Sequence, residues 1–455
     1  MNDSQGIHDL KRIRKMAKGE PFRMKYFCIV LLLTLFSVEL TAQTYFPLDT
    51  ANVLLRKEKA TEYADFKKKM MVDFKKTYSG KDKSYITSLY TKQTENFKED
   101  LEGGSYVFDK RFNEVVDSIV ELLCRANKEI PADMKFFISR NISLNALCMG
   151  DKTFIINMGA FYYLNNEHQL AGILSHEIAH LMLEHGLQLM QANYKVEKID
   201  TKAKLSRIKS GKYNKGSKAL ESYKALLYAN KNLNRHHEEE ADSLGFVLYR
   251  KAGFAPYEYI NSYKLAMQYD SIKPMGLVKD TYRKMFDLQD MPFQESWFTA
   301  ENFKVYDYSK YKDKFDKDSL RSHPDPEIRI KKLQHHFKEL KDSVASMAAS
   351  SNFLQVKEIA KYEQIPSLII TEHYGLGIYI CLLRLQEDPG NAYYRSLLGN
   401  LFNKIYEARK TYLLNRYLER VNPEEQSESY QQFLNFIWNL NMKEIKTIAD
   451  FYSAS

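Results

Sequence analysis

The segment His176-Glu177-Ile178-Ala179-His180 combines two imidazoles and a carboxylate at a spacing that suits metal-assisted hydrolysis. On a helix, residues four apart lie on one face, one turn apart, so His176 and His180 can bind one metal ion together. A catalytic Zn²⁺ ion takes three protein ligands and keeps a fourth position for water, whose pKa it lowers. Glu177 is then placed to act as general base. The alternative is a structural helix on which the two histidines fall by chance.

The flanking sequence predicts the helix that this geometry requires. Asn165 and Asn166 are candidate N-caps, and Glu167 falls in the first turn, where a negative charge is favourable. Apolar residues at helical spacing predict a broad buried face, made of Leu170, Ala171, Ile173, Leu174, Ile178, Ala179 and Leu181.

A second helix is predicted from Arg235 through Tyr249, ending at Gly253 and Pro256. Glu238 and Asp242 lie four residues apart on it and therefore share a face. A zinc site needs a third protein ligand, which a residue outside the histidine pair has to supply.

Four separate segments resemble the M48 family of zinc metallopeptidases. They are Asn145-Ala146 with Gly150 and Phe154–Asn157; His176–His180 with His185-Gly186; Arg235–Gly245 with Ala252–Phe254 and Pro256; and Ser322-His323-Pro324 with Arg329. They occur in the family's order over roughly residues 140–335. The resemblance implies an α+β fold, with a zincin-like metallopeptidase domain that is mainly helical and contains a small sheet.

The resemblance also implies a ligand set. His176, His180 and Glu238 would bind one Zn²⁺ ion per chain, and Glu177 would be the catalytic base. Asp242 would hold the other ring N–H of a ligating histidine, as such carboxylates do in zinc sites.

His323 and Arg329 would lie near the site as further catalytic residues, where they could stabilise the oxyanion formed on a peptide carbonyl. The alternatives are that His323 begins a helix before Pro324 and that Arg329 lies on a solvated face. His236 and His237 are interpreted as peripheral, since His237 is turned about 100° from Glu238 on a helix. His185 either packs near the site or belongs to the polar surface.

The N-terminus predicts secretion. Met24-Lys25-Tyr26 precedes an apolar run from Phe27 to Val38 that is too short to span a bilayer, and Ala42 offers a cleavage point before Gln43. Whether translation begins at Met1 or at Met24 stays open. We expect the mature protein in the periplasm or another compartment of the cell envelope, without a transmembrane span; peripheral membrane association stays open.

The net charge of the chain is +9, and it falls to +6 when residues 1–42, with seven basic and four acidic side chains, are removed. The basic excess is concentrated in residues 195–231, between the two helices of the predicted metal site. No nucleic-acid-binding motif accompanies it, so we predict no nucleic-acid partner and interpret the segment as a flexible solvated insertion or a mobile lid. Cys124, Cys148 and Cys381 are expected to be mostly buried free thiols.

Composition divides the chain into five parts. They are a signal peptide at 1–42, a helical N-terminal region at 43–105, the peptidase domain at 106–342, a small-residue linker at 343–351 and a helical C-terminal region at 352–455. In the last part, helices at Tyr374–Leu385 and Ala392–Arg409 resemble a tetratricopeptide hairpin. The C-terminal helices are either a module that binds a protein partner or a plain helical cap on the peptidase.

These features together predict a zinc metalloendopeptidase that hydrolyses peptide bonds in envelope proteins, in protein quality control. Its protein or peptide substrate would lie extended along an edge strand near Phe154–Asn157. Two alternatives remain. The chain is a periplasmic chaperone or assembly factor with a client-binding helical module and an auto-inhibited protease site, or it is an inactive metal-bound scaffold.

Overall fold

The computed structural model describes residues 45–48, 52–210, 216–271, 276–299, 326–341, 346–423 and 426–454, with the backbone alone at 199–210, 216–232 and 268–271. The predicted signal peptide, His323 and residues 343–345 of the predicted linker lie outside these described residues. Residues 47–455 cluster as one unit.

Two long helices precede the segments with the metal motif and pack side by side. Helix α1 (Val53–Thr77) begins at Asn52, whose side chain accepts a hydrogen bond from the Leu55 N–H at 2.9 Å. Helix α2 (Lys83–Gly103) ends at Gly104, whose φ of 86° closes the helix in the left-handed conformation that glycine adopts without strain. Residues 53–103 thus form two helices that pack against each other.

The middle of the chain alternates short strands with helices. Its elements are β1 (Tyr106–Val107), α3 (Lys110–Ala126), β2 (Lys135–Ser139), β3 (Ala146–Cys148), β4 (Thr153–Asn157), α4 (Met158–Tyr163), α5 (Glu167–Met182), α6 (His185–Ser210), α7 (Gly216–Lys251), α8 (Pro256–Ser271), α9 (Lys279–Phe286), a 3₁₀ helix (Glu295–Phe298), α10 (Pro326–His336) and a second 3₁₀ helix (Lys338–Leu340). The basic segment predicted to be a flexible insertion is therefore helical in its described parts, within α6 and α7.

The described strands form one mixed sheet in the order β1-β2-β4-β3. β4 pairs in parallel with β2 on one side and antiparallel with β3 on the other. Residues 154–157, near which the sequence analysis placed an edge strand, therefore belong to an internal strand, and the edge strands of this sheet are β1 and β3. The reason is burial, since four of the five β4 residues are buried, which is typical of an internal strand covered on both faces.

The start of helix α5 is fixed by a buried carboxylate. Asn166 is its N-cap, as predicted, and accepts a hydrogen bond from the Gln169 N–H at 3.0 Å. The Asn166 and Gln169 amides donate to the two oxygens of Glu258 at 3.0 and 2.8 Å. Ser346 Oγ and the Met347 N–H donate to the same carboxylate at 2.8 and 2.5 Å. The described part of the predicted linker is thus held against the N-terminus of α5.

The C-terminal helices are α11 (Ser351–Ile370), α12 (Tyr374–Glu387), α13 (Ala392–Lys410), α14 (Leu414–Tyr417), α15 (Glu428–Asn439) and α16 (Met442–Ser453). The two helices of the predicted hairpin are present as α12 and α13. Helix α11 packs on α4, and its buried Glu363 pairs with Arg140 at 3.2 Å.

The core of the C-terminal region also takes in residues that precede α10. Tyr282 and Phe286 of α9 each lie with ring centroids 4.9 Å from Phe436 of α15, and Trp297 belongs to the same cluster. The predicted boundaries of the domains stay predictions, but residues 277–298 pack with the helices that follow the peptidase segment rather than with the sheet.

The described cysteines, Cys124, Cys148 and Cys381, are free thiols, of which Cys381 is buried and the other two are half-buried. None of the helices in the described ranges is long and apolar enough to cross a membrane.

Helix α7 packs against α5 at Gly245. A Cβ atom at this position would lie 2.9 Å from His176 Cα and 3.0 Å from His176 N, closer than almost all Cβ contacts in folded proteins. The absence of a side chain therefore lets the two helices meet backbone to backbone, one turn beyond Asp242.

We predict that Gly245→Ala destabilises the fold by about 1–3 kcal/mol, because the added methyl group overpacks this contact more than it favours the helix. Gly103→Ala is the control, since a Cβ atom there meets nothing within 4 Å. Urea unfolding should show a lower midpoint for the first variant and an equal or higher midpoint for the second. Equal midpoints for the two variants would mean that the contact at Gly245 tolerates a side chain.

Candidate metal centre

Three side chains from two helices converge on one point. His176 and His180 extend from α5, with their Nε2 atoms 3.1 Å apart. Glu238 extends from α7, with one oxygen 3.5 Å from His176 Nε2 and the other 3.6 Å from His180 Nε2. Within the described residues, this is the group of histidine, cysteine and acidic side chains close enough to share one ion.

The donor set fits zinc. With bond lengths of about 2.0–2.2 Å in a tetrahedral site, the ligand atoms of a zinc ion are separated by roughly 3.3–3.5 Å. The two histidine nitrogens, 3.1 Å apart, lie within a few tenths of an ångström of that range, and each of the two Glu238 oxygens lies at a similar distance from one of these nitrogens. Two imidazole nitrogens with one carboxylate oxygen are also a known ligand set of catalytic zinc, which leaves the fourth position for water.

A shell of charged groups orients the first of these histidines. Asp242, one turn after Glu238, lies with Oδ1 3.0 Å from His176 Nδ1. Arg329 of α10 donates to both oxygens of Asp242 at 2.8 and 2.5 Å. Its guanidinium also lies 3.2 Å from Glu238. Tyr263 of α8 completes the shell by donating to Asp242 Oδ1 at 2.5 Å.

The pKa values of these groups follow from the charges. Although burial raises it, the adjacent Arg329 holds the pKa of Asp242 well below its usual range. Although burial lowers it, hydrogen bonding to Asp242 and Glu238 raises the pKa of His176 to about 9. Burial and the neighbouring His176 lower the pKa of His180 to about 3. An ionised Asp242 keeps a proton on His176 Nδ1, so that the Nε2 atom is the one that can bind a metal ion. The negative charges of Glu238 and Asp242 also favour a cation between the three ligand atoms.

Glu177 faces the edge strand. Its Oε2 accepts a hydrogen bond from the Cys148 N–H at 2.8 Å. In the same strand region, Asn145 O and Met149 N bond towards β4, so the backbone groups of Ala146 and Cys148 point to the outer edge of the sheet. The carboxylate of Glu177, which follows His176 on α5, therefore lies next to an outward-facing strand edge.

Two further histidines, interpreted from the sequence as peripheral or ambiguous, pack behind His180. His185 is buried, and its Nδ1 lies 2.9 Å from His180 Nδ1. The His237 ring stacks on His185 with a centroid distance of 4.0 Å, and its Nε2–H donates to Gln188 Oε1 at 3.0 Å. His185 thus contacts a candidate ligand directly, whereas His237 contacts it only through His185.

The structure brings together six of the seven site residues named from the sequence: His176, Glu177, His180, Glu238, Asp242 and Arg329. The seventh, His323, lies outside the described residues. Arg329 has a side chain that is 11% exposed, so it does not lie on the solvated face that was the alternative. The sequence analysis missed Tyr263 and the Cys148 N–H. A single tyrosine on a helix carries no spacing signal, and a backbone donor carries none at all.

Comparison with known proteins gives an independent result. The family model of peptidase family M48 matches residues 109–337, about half of the chain. A beta-barrel assembly-enhancing protease of Escherichia coli (strain K12) is 22% identical over 312 residues, which cover 67% of this chain and 54% of that protein.

Two other relatives match shorter segments. The beta-barrel assembly-enhancing protease of Yersinia pestis is 19% identical over 157 residues, which cover 33% of this chain and 32% of that protein. A relative from Vibrio cholerae, named after the same kind of protease, is 27% identical over 149 residues, covering 32% of this chain and 31% of its own. The chain therefore spans between about a third and about half the length of these relatives. From the match over residues 109–337, together with the site that these residues form, the chain belongs to peptidase family M48.

Proposed function

We propose that this chain is a zinc-dependent endopeptidase that hydrolyses peptide bonds in proteins of the cell envelope, in protein quality control. The observation that carries the proposal is the convergence of His176, His180 and Glu238, with Glu177 held next to them. The family supports peptidase activity, and the names of the relatives support a role connected with beta-barrel assembly.

The residues would divide the reaction among themselves. Zinc, when bound by the three donors, lowers the pKa of water and polarises the substrate carbonyl. Glu177 takes the proton from the attacking water and delivers it to the leaving amine. Asp242 keeps the His176 ring in the orientation and tautomer that a ligand needs. Arg329, which already neutralises Asp242, places a positive charge where the oxyanion of the substrate would develop.

The substrate peptide would pair with the outer edge of β3. Backbone groups of Ala146 and Cys148 point outward there, and an extended peptide can add to such an edge as a further strand. The Cys148 N–H is occupied by Glu177 at 2.8 Å, so the base is fixed to the same strand that would hold the substrate. This arrangement would set the distance between the scissile bond and the base through one rigid element.

An alternative function is a chaperone or assembly factor with an auto-inhibited protease site. Two observations favour it. The relatives are named for enhancing beta-barrel assembly, and the Arg329 guanidinium lies 3.2 Å from Glu238 and 3.4 Å from His176 Nε2, close to the donors. Client binding would then rest on the helices α11 to α16. This activity can coexist with peptide hydrolysis, because the two would use different surfaces.

We predict one zinc ion per purified mature chain, measured by atomic emission spectrometry. Glu238→Ala should weaken zinc affinity by more than about 100-fold, since it removes a ligand. Asp242→Asn should weaken it by about 10- to 100-fold, since it removes only the carboxylate that orients His176. Glu239→Ala is the matched control on the same helix, because Glu239 contacts Lys332 at the surface. Full zinc occupancy in Glu238→Ala at limiting metal would contradict the assignment.

Glu177→Gln should keep the zinc and the fold but lower the rate of peptide cleavage by about 10²–10⁴-fold, because the amide cannot accept the proton of the water. The measurement is the turnover of casein or of an unstructured fluorogenic peptide, and chelator-treated enzyme gives the background rate. Glu184→Gln, at an exposed position just after α5, should leave turnover unchanged. Unchanged turnover in Glu177→Gln would exclude this residue as the base.

Secretion is the remaining part of the proposal. If residues 1–42 are a signal peptide, expression of the whole chain should give a mature protein that begins at about Gln43 and fractionates with the envelope. N-terminal sequencing of the purified protein tests this directly. A protein that retains residues 24–42 and stays in the cytosol would contradict the proposal, and the proposed peptidase chemistry would be unaffected.

A further inference from the structure

The N-terminal helices hold the turn that joins β3 to β4. Both helices lie outside the part of the chain that matches the family, at residues 109–337. Lys67 of α1 pairs with Asp151 in this turn. From α2, Tyr90 OH donates to Gly150 O at 2.8 Å and Gln93 Nε2 donates to Met149 O at 3.0 Å. Three side chains thus reach three successive residues of one turn.

The ion pair is unusual in its burial. The Lys67 and Asp151 side chains are each 1% exposed. The Lys67 ammonium also lies 4.9 Å from the centre of the Tyr90 ring, and the second oxygen of Asp151 accepts the Thr153 N–H at 2.7 Å. Taking two charges out of water costs about as much as their attraction returns, so such a pair contributes little to stability by itself. Its geometric consequence is that the turn is fixed to α1.

On the side of α1, close packing alone does not hold the turn in place. A cavity of about 1010 Å³ extends beside the turn, lined among others by Phe66, Phe74 and Leu187 and by Gly150 and Asp151. On the side where the turn borders this cavity, packed atoms resist its displacement less than they would in a filled interior. Its position therefore depends on the side chains that bridge to it.

The turn leads directly to the base. Cys148, the residue before it, donates its N–H to Glu177 at 2.8 Å and its thiol to Asp151 O at 3.2 Å. On its other side the turn touches the start of α6, where a Cβ atom at Gly186 would lie 2.3 Å from Gly150 Cα. A shift of the turn would consequently displace the donor that orients Glu177 and the strand edge beside it.

We propose that Lys67 and Asp151 are positioning residues of the peptidase site, through which the N-terminal helix pair fixes the turn at residues 149–152, the edge strand β3 and the carboxylate of Glu177. The inference rests on the proposed role of Glu177 as base. It assigns to the N-terminal region a part in catalysis without contact to the reacting atoms.

The experiment compares Lys67→Met, Asp151→Asn and the double variant in the full mature chain. Each single variant leaves one buried charge without its partner and should lower the midpoint of urea unfolding. The double variant removes both charges and should recover the midpoint. If the pair only stabilised the fold, activity would recover with it. For a positioning role we expect kcat to stay about 10- to 100-fold below wild type, with KM within about threefold and zinc still at one per chain.

A second buried ion pair provides the matched control. Arg140 and Glu363 have side chains that are 2% and 0% exposed, and they join the sheet to α11 rather than to the turn. The double variant Arg140→Met with Glu363→Gln should leave kcat unchanged at temperatures where it is folded. Tyr90→Phe is a milder test, since it removes the hydroxyl that bonds to the turn and keeps the buried ring. It should also lower kcat.

Hydrogen exchange gives a readout that does not depend on activity. The amide of Cys148 should be protected in wild type and should exchange at least about tenfold faster in the Lys67→Met/Asp151→Asn variant, whereas the control pair should leave it unchanged. A stable double variant with wild-type kcat and wild-type protection at Cys148 would overturn the inference. A wild-type enzyme that binds zinc but cleaves no peptide would contradict the proposed function instead, and exchange at Cys148 would still decide whether Lys67 positions the turn.

Discussion

The contact of α7 with α5 at Gly245 is the constraint on which the site depends. Glu238 can meet two histidines of another helix only if the helix axes come close enough for a carboxylate to bridge them. Gly245 permits that approach, because the backbone of His176 occupies the space where a Cβ atom would lie. The separations of 3.5 and 3.6 Å between the Glu238 oxygens and the two histidines follow from this packing. The ligand set is therefore a property of helix packing as much as of the residues themselves.

Close packing of the helices brings two buried carboxylates together, and the positive charge of Arg329 offsets their repulsion. Glu238 and Asp242 are 7% and 4% exposed, and two buried carboxylates one turn apart repel each other. The guanidinium contacts both and is itself 11% exposed. Its position on α10, far along the chain from α5 and α7, makes the site dependent on a third helix. Asp242 can then remain ionised and hold His176, even though burial alone would favour its neutral form.

Much of the site could be predicted from the sequence, because its ligands are spaced by the helical repeat. His176 and His180, and likewise Glu238 and Asp242, are four residues apart, and such pairs lie on one face whatever the rest of the fold does. The N-cap at Asn166 and the helices around Pro389 were predictable for similarly local reasons. The mainly helical α+β fold with a small sheet was implied by the family resemblance and is confirmed.

The errors concern features that depend on distant partners. Whether a strand lies at the edge or inside a sheet depends on which strands it pairs with. The five residues of β4 do not by themselves indicate that β2 pairs with them. Likewise, His185 and Tyr263 reach the site through packing between helices, for which no short motif exists.

The position of the buried polar contacts indicates how the family segment is joined to the rest of the chain. Domains linked only by flexible segments meet through exposed polar surfaces. Here the bridging groups are buried: Lys67 with Asp151 on the N-terminal side, Arg140 with Glu363 on the C-terminal side, and Glu258 with the segment at 346–347. Each reaches the sheet or an end of α5, the elements that carry or flank the site. A buried charge without its partner is costly, so residues 109–337 excised alone would expose or orphan Asp151, Arg140 and Glu258. The flanking helices are in this sense part of the folded unit that carries the site.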